Sequence, residues 1–503
     1  MTDNTNSQER IEKRASLDET LRLSLERGFF FPSAEIYNDS PAGFWEYGPL
    51  GFLMKANFLR EWRRNLVTLD DMIEIDGALI LPKAVFEASG HLSSLVDPLV
   101  QCTKCGTRIR ADKYISEKTG IQIDERLGAE EFQSLIQKHN LKCPNCGGAL
   151  GEPVKFNMMF RVGVGAENSE SYLRPETAQN IFVDFSRLSK IMRIKLPKGI
   201  AQVGKSFRNE ISPRQGLIRL RELIQAEVEV FFNPKSALDP KKMQRVSDVR
   251  MNVLSFPYSG EGHEVGIEEA TKLFGGKEII AYYFALLQNF YENIGFKKSD
   301  TRFRELSPSD RAFYTTSAFD FEIRTSLGWT ELVACNYRTD YDLSNHARSS
   351  KNDLSVMDGE EKVIPHVVEL SLGVDRSLLF LLDAYFVHEQ NRDVLRLPKS
   401  VSPYFAAVFP LITKPEFQAK AREIFENLKR EEISVFYDDS GNIGRRYRRM
   451  DEVGTPFCLT LDPQSIEDGT VTIRERDSMK QERVAITDVA TKLKSLRTAN
   501  TTL

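Results

Sequence analysis

Hydrophobic and polar positions recur along this chain with two different periods, and each change of period marks an element. Leu17, Leu21 and Leu25 repeat every four residues up to Gly28, and Ser16-x-x-Glu19 reads as a capping box, so a short helix opens the folded chain. A loop rich in proline, glycine and aromatic residues follows, ending at Tyr47-Gly48-Pro49. Leu50, Met54, Phe58, Trp62 and Leu66 then keep a spacing of four and predict a long amphipathic helix. Ile73 to Leu81 reads as one strand closed by Pro82. From Phe156 to Phe232 strand-like runs alternate with turns, as in an antiparallel sheet. Strand character returns from Phe319 to Ala334, and Val363 to Phe386 runs from a strand into an apolar helix.

Past Leu397-Pro398-Lys399-Ser400 the rhythm changes. Strands are predicted at Tyr404 to Leu411, Ile433 to Tyr437, Phe457 to Leu461 and Val471 to Arg474. Between them Phe417, Ala421, Ile424, Phe425 and Leu428 define one helix face, and a second helix covers Arg445 to Val453. That alternation predicts a compact α/β domain over 398–503, after an α+β domain over 1–397 built on an antiparallel sheet. Two segments interrupt the first domain and read as insertions: 100–151, and 233–300 with its helical run Ala281 to Tyr291.

A length of 503 residues with 41% hydrophobic and 10% aromatic content supplies more than one large core. Lys+Arg total 68 against 72 Asp+Glu, a net charge of −4 that excludes a polybasic nucleic-acid coat but leaves room for local basic patches. Met1 to Arg14 is polar, and no run approaches the ~18 apolar residues of a membrane span. A soluble, cytoplasmic protein with no membrane partner is expected.

Six cysteines, four of them in two close pairs, do not make a secreted disulfide framework. Cys102-x-x-Cys105 and Cys143-x-x-Cys146, with Gly106 and Gly147 permitting tight turns, read as two halves of a zinc knuckle. The 37 residues between the pairs require a looped-out helix, and four thiolates would leave a structural ion with no open position. Four reduced structural thiols are the competing reading. Cys335 and Cys458 lie in apolar strands as packing residues.

Phe207-Arg208-Asn209-Glu210 and Arg219-Leu220-Arg221-Glu222, joined through Pro213 and Gly216, read as a hairpin with arginines placed to grip a polyphosphate bidentately. A solvated, charged edge hairpin is the plainer alternative. Gly373-Val374-Asp375-Arg376 opens the apolar helix after a strand and puts an arginine at the positive end of the helix dipole. Between them, Glu331 of Gly328-Trp329-Thr330-Glu331 is placed to hold magnesium on phosphates. No P-loop occurs, and Gly163-Val164-Gly165 lacks the rest of a dinucleotide loop. Arg445, Arg446, Arg448 and Arg449 form a dense basic turn, suited to RNA phosphates or simply to solvent. His91 stands out in Ser89-Gly90-His91 without an assigned chemistry.

Several of these motifs, in this order, resemble the homodimeric class II glycyl-tRNA synthetases. They are Gly51 to Pro82, Leu173-Arg174-Pro175-Glu176-Thr177-Ala178-Gln179, the Arg208/Arg219 hairpin, Gly328 to His346, and Glu369-Leu370-Ser371-Leu372-Gly373-Val374-Asp375-Arg376. The paired-cysteine insertion points to an archaeal type. The resemblance implies a class II catalytic domain, an anticodon-binding C-terminal domain, and a dimer formed through Gly51 to Pro82. It implies activation of glycine with ATP and magnesium and transfer of glycine to tRNA(Gly).

By the same resemblance Arg208 would hold the ATP α-phosphate, Arg219 the terminal phosphates, and Arg376 the adenine or γ-phosphate, as the catalytic trio. Glu210 would meet the adenine edge. Asn209, Ile218, Leu220, Arg221, Glu222 and Leu223 would complete the hairpin side of the ATP site, and Glu331, Leu332, Gly373, Val374 and Asp375 its far side. Glycine would be held by Arg110, Glu176, Gln225, Glu227, Glu369 and Ser371, with Leu223 and Gly373 as walls; structural salt bridging is the plainer role for Glu176 and Glu369. The four arginines from Arg445 to Arg449 would contact tRNA.

Two positions depart from the family pattern. Leu223 replaces a usual aromatic that packs on adenine, a loss of about 1 kcal/mol of stacking; Leu370 replaces a usual proline. A non-catalytic DNA- or RNA-binding relative would show an eroded site, whereas the charged residues are all present here. An enzyme for another small amino acid would need a changed pocket.

Overall fold

The computed structural model describes residues 13–124, 127–213, 216–312 and 314–498; Arg214 and Gln215 of the expected turn lie outside them. Helix α1 (Leu17–Arg27) begins and ends as its sequence predicts. The Ser16 amide donates to the Glu19 carboxylate at 2.8 Å, the Glu19 amide donates back to the Ser16 hydroxyl, and Gly28 closes the helix at φ +74°. Helix α2 (Pro49–Trp62) continues through a π-type turn at Arg63–Thr68, which carries its apolar face to the fully buried Leu66.

A nine-stranded sheet is the frame of the first domain. Its strands in chain order are β1 (Ile73–Ile75), β2 (Lys198–Phe207), β3 (Glu222–Phe232), β4 (Arg250–Leu254), β5 (His263–Gly266), β6 (Thr301–Glu305), β7 (Ser317–Thr325), β8 (Gly328–Thr339) and β9 (His366–Gly373). Across the sheet they run β5-β4-β6-β7-β8-β9-β3-β2-β1, antiparallel except where β4 meets β6 and β2 meets β1. Helices α3 (Ala178–Ile191), α4 (Glu278–Asn293), α5 (Tyr341–Ser350) and α6 (Val374–Tyr385) flank it.

The long strands alternate sharply. Ala226, Val228 and Val230 of β3 are fully buried in the core shared with α2, α4 and α6, while Gln225, Glu227 and Glu229 point to the other face. On that other face α3 and α5 cover one part with Phe182, Phe185 and Leu343. The rest is left for the cavity described below.

Two expectations change. Ile73 to Leu81 is not one strand: Ile73–Ile75 joins the main sheet, and Ile80–Pro82 pairs instead with Ser171–Leu173. The break is at Gly77, whose carbonyl accepts from Arg174 Nη1 at 3.0 Å and where a Cβ would stand 2.5 Å from Asn180. Residues 233–300, read as an insertion, are integral to the domain: they supply β4, β5 and α4, a helix with twelve buried residues and no polar face. The 100–151 segment, by contrast, keeps its own small core, with Val100, Ile115, Phe132 and Ile136 at its centre.

The C-terminal domain contains β10 (Ala406–Pro410), β11 (Val435–Tyr437), β12 (Phe457–Leu461), β13 (Thr470–Glu475) and β14 (Gln481–Ala485) in the order β11-β10-β12-β13-β14. Helices α7 (Pro415–Arg430), α8 (Ile443–Glu452) and α9 (Val489–Thr498) complete it. The predicted face Phe417, Ala421, Ile424 and Leu428 is its core. The Asp451 carboxylate joins the two domains, accepting from Arg392 and Arg474, each at 2.9 Å. No helix among the described residues is long and apolar enough to cross a membrane.

Candidate active site

Three neighbouring strands bring polar side chains to one face of the sheet. Glu227 of β3 lies opposite Ser371 of β9, and Glu229 opposite Glu369. On the other side of β9, Asn336 of β8 lies opposite Glu369. Because side chains alternate along a strand, these residues share the face that carries Gln225, and above them opens a cavity of about 530 Å³.

The floor of that cavity is a buried ionic cluster centred on Arg338, which is 0% exposed. Its guanidinium donates to both oxygens of Asp342 at 2.7 and 2.8 Å and to Glu369 at 2.9 Å, with Glu176 3.7 Å away. The Tyr314 ring lies under it, 3.8 Å from the guanidinium carbon. Asn336 gives Glu369 a second donor at 2.6 Å. Burial pushes the Glu369 carboxyl up to about 7 even with Arg338 beside it.

Glu176 behaves differently. Burial would raise its pKa, but His91 at 3.3 Å, Arg338, and the Gln179 amide at 2.9 Å hold it below the usual carboxylate range. Glu227 accepts from the hydroxyls of Thr177, at 2.5 Å, and Ser371, and from the Gln225 amide at 3.0 Å. Burial, with Glu176 nearby, still raises it.

The rim carries the arginines. Arg208 lines the cavity with its Nε donating to the Pro175 carbonyl at 3.0 Å. Arg219 stands 3.5 Å from Glu210, and Arg376 stands 3.1 Å from Glu331. Ile218, Leu220, Leu223, Leu332 and Gly373 line the apolar part of the wall. Glu331 is 44% exposed, so its carboxylate can serve a hard cation whose other ligands are phosphate and water oxygens. Arg219 and Arg376 also line an adjoining basic cleft with Arg108, Lys113 and Lys118.

Most expected site residues therefore meet in one place, with exceptions. Asn209, Arg221, Glu222 and Val374 do not line the cavity. Arg221 spends its donors on the carbonyls of Glu210 and Ala42, at 3.0 and 2.9 Å, and so shapes the loop; Glu222 pairs with Lys205, and Val374 is fully buried. Asp375 borders the cavity, yet both its oxygens are taken, by the Tyr47 hydroxyl at 2.5 Å and the Ile224 amide at 2.6 Å, and burial pushes it up to about 6. Glu227 lies behind the wall, hydrogen-bonded to Ser371 and Gln225. Arg110 reaches the cavity while bridging Asp97 at 2.9 Å and Asp112 at 2.8 Å. Leu370 is 2% exposed on the core face, away from the cavity.

Sequence reasoning missed Arg338, Asn336, Asp342, Tyr314 and Glu229, and left His91 unassigned. The signal was present for three of them. Asn336 and Arg338, and Glu229 after Gln225 and Glu227, sit at alternate positions of otherwise apolar strands, where a polar residue must face a site or a partner.

Beside the cavity, Sγ atoms of Cys102, Cys105, Cys143 and Cys146 lie within 4.8 Å of one another, with Cys102–Cys146 and Cys105–Cys143 at 3.6 Å. Metal–sulfur bonds of ~2.3 Å in a tetrahedron put sulfurs ~3.8 Å apart, so four thiolates at this spacing fit one ion. The two knuckles repeat the same backbone pattern. The amides of Cys102 and Cys143 donate to Thr107 and Gly148, and those of Gly106 and Gly147 donate back to Cys102 and Cys143. Both glycines sit at positive φ, +73° and +68°. The Thr107 hydroxyl and backbone pull the Cys105 thiol down to about 6.

In the C-terminal domain the arginine turn divides. Arg445 and Arg448 are exposed and Arg449 pairs with Asp438. Arg446 is buried; its guanidinium donates to the carbonyls of Pro410 at 2.5 Å, Gly441 at 2.8 Å and Asp439 at 3.1 Å, so it holds the fold together and is not a tRNA contact.

Residues 160–256 match the family model "tRNA synthetase class II core domain (G, H, P, S and T)", and residues 406–496 match "Anticodon binding domain". The chain is 38% identical over 574 aligned positions to a glycine–tRNA ligase of Pyrococcus abyssi, covering 97% of this chain and 99% of that protein. Glycine–tRNA ligases of Pyrococcus furiosus and Archaeoglobus fulgidus are also 38% identical, over 94% and 95% of this chain and 98% and 97% of theirs.

Proposed function

The chain belongs to the glycine–tRNA ligase family, and we propose that it converts glycine and ATP to glycyl-adenylate and passes glycine to the 3′ end of tRNA(Gly). The observation that carries this reading is one cavity with a buried carboxylate floor for an ammonium and an arginine rim for phosphates. Glycine's carboxylate attacks the α-phosphorus, pyrophosphate leaves, and a terminal ribose hydroxyl then displaces AMP from the adenylate carbonyl. None of these steps needs a protein nucleophile; alignment and charge neutralisation supply the acceleration.

Arg208 grips the α-phosphate and steers the carboxylate toward it. Arg219 and Arg376 take the terminal phosphates when they leave Glu210 and Glu331. Glu331 would hold a magnesium ion on ATP, which would neutralise phosphate charge there. Glu176 and Glu369 hold the ammonium, Ser371 and Gln225 fix its direction, and the close wall of Ala334 and Gly373 excludes a side chain.

The sulfur spacing supports zinc at Cys102, Cys105, Cys143 and Cys146, as a structural ion that ties the two knuckles beside Arg110. Exposed Phe52, Leu79 and Ile80 support a homodimer through Gly51 to Pro82. Arg445, Arg448 and Arg449 serve as phosphate contacts for tRNA, and the protein works in the cytoplasm. The test is charging of a tRNA(Gly) transcript with labelled glycine. Stable glycyl-tRNA dependent on ATP is expected; a folded protein that binds the transcript and never charges it would overturn the reading.

A further inference from the structure

The floor of the cavity contains more negative groups than its contacts neutralise. Glu176, Glu227, Glu229, Glu369 and Asp342 are all 4% exposed or less, and among the described residues the Arg338 guanidinium ion-pairs with Glu176, Asp342 and Glu369. Asp342 engages that guanidinium through both oxygens, which leaves a single nitrogen contact for Glu369.

Glu229 stands directly across the strand pair from Glu369, fully buried, and neither of its oxygens has a hydrogen-bond partner. A carboxylate without a donor in such a place stays protonated, because desolvation of the charge has no compensation. Glu227 accepts from two hydroxyls and an amide but from no cation.

The charged and titratable groups around this set do not correct the imbalance. Arg174, beside β2, directs Nε and Nη1 to the carbonyls of Lys205 and Gly77 and to Asn180 and Gln202, while its buried Nη2 has no partner and its charge acts on Glu227 without a hydrogen bond to it. Arg208 is on the rim. His91 faces Glu176, and on α5 His346 binds Gln179 through Nε2 at 2.8 Å. Tyr314 stacks under Arg338. Glu227 therefore meets no cation by hydrogen bond, and Glu369 meets one nitrogen of a guanidinium whose other two hydrogen bonds go to Asp342.

We propose that before glycine binds the pocket holds one exchangeable proton shared between Glu369 and Glu227 behind it, and that the ammonium of glycine, held at Glu369 and Glu176, displaces that proton. The inference rests on reading the cavity as a glycine site. In the exchange one carboxyl O–H bond breaks and its proton passes to solvent, while the ammonium enters with its three N–H bonds intact. At the carboxylates one positive charge replaces another, and glycine's own carboxylate adds a negative charge that Arg208 on the rim meets. Burial raises both carboxyls before glycine binds, which places the exchange near neutral pH.

Proton and ammonium then compete, so affinity for glycine weakens as pH falls below the pair's titration. The apparent dissociation constant rises about tenfold per pH unit on that limb and is flat above it. The test is calorimetric titration of the full chain with glycine at about pH 6.5 in two buffers of different ionisation enthalpy. Close to one proton released per glycine is expected, falling toward zero by about pH 8.5. Glu369→Gln should cut that count by half or more; a full proton still released by that variant would overturn the assignment. Equal heats in both buffers, with saturable glycine binding, would also overturn it. In parallel, glycine-dependent pyrophosphate exchange with a KM flat between about pH 6 and 8 removes the proton exchange and leaves the glycine site standing. No exchange with glycine at any pH removes both.

Discussion

Arg338 on the floor of the cavity and Arg376 on its rim each meet a glutamate at close to 3 Å, yet their side chains are 0% and 32% exposed. The floor pair is permanent. Its groups are out of water, the guanidinium contacts to Asp342 and Glu369 are 2.7 to 2.9 Å, and removing one partner strands the others. The rim pairs, Arg376 with Glu331 and Arg219 with Glu210, are solvent-screened, and on the proposed reading they hold their arginines until a phosphate arrives. One cavity thus combines a rigid site for a substrate with almost nothing to recognise and an adaptable one for a highly charged substrate.

Breaking the floor gives the largest effect. Arg338→Leu should cost about 3–5 kcal/mol of stability and abolish glycine activation, seen as a large fall in denaturation midpoint. Arg376→Leu sharpens the contrast: stability should change by no more than ~0.5 kcal/mol while pyrophosphate exchange falls about 10²–10³-fold. Comparable destabilisation by both would end the distinction between floor and rim.

Next in size is the cysteine module, the third neighbour of the cavity. Cys102→Ser with Cys143→Ser should lower bound zinc, measured by mass spectrometry, from one per chain to none and loosen the segment that presents Arg110. Unchanged metal content would reject the site. The arginine turn repeats the floor-and-rim contrast on a smaller scale. Arg448→Ala should weaken tRNA binding and reduce its salt slope by about one, with stability unchanged. Arg446→Ala should instead lower stability with little change in that slope. The smallest effect is expected from Leu223→Phe, which restores a ring at the adenine wall and should lower the KM for ATP by about 1 kcal/mol's worth, several-fold.

The rim was legible in the sequence because its residues cluster in short motifs: Arg208 and Arg219 share one hairpin, and Gly373 to Arg376 open one helix. The floor was only half legible. Glu176, Glu227 and Glu369 were placed through family resemblance, but the cation that makes them tolerable, Arg338, comes from the middle of β8 and meets Glu369 only through strand pairing. Cross-strand register carries no local mark. The same limit hid the split at Gly77, where Arg174 from nearly a hundred residues away pins the turn. Arg446 looked like its neighbours because helical phase alone decides which arginine points inward.

The most direct measurement is amino-acid-dependent exchange of pyrophosphate into ATP, without tRNA, run with glycine, alanine and serine. A carboxylate floor under a wall too close for a side chain predicts exchange with glycine alone. Equal exchange with alanine or serine, or none with any of the three from a folded protein that binds ATP, would contradict the account.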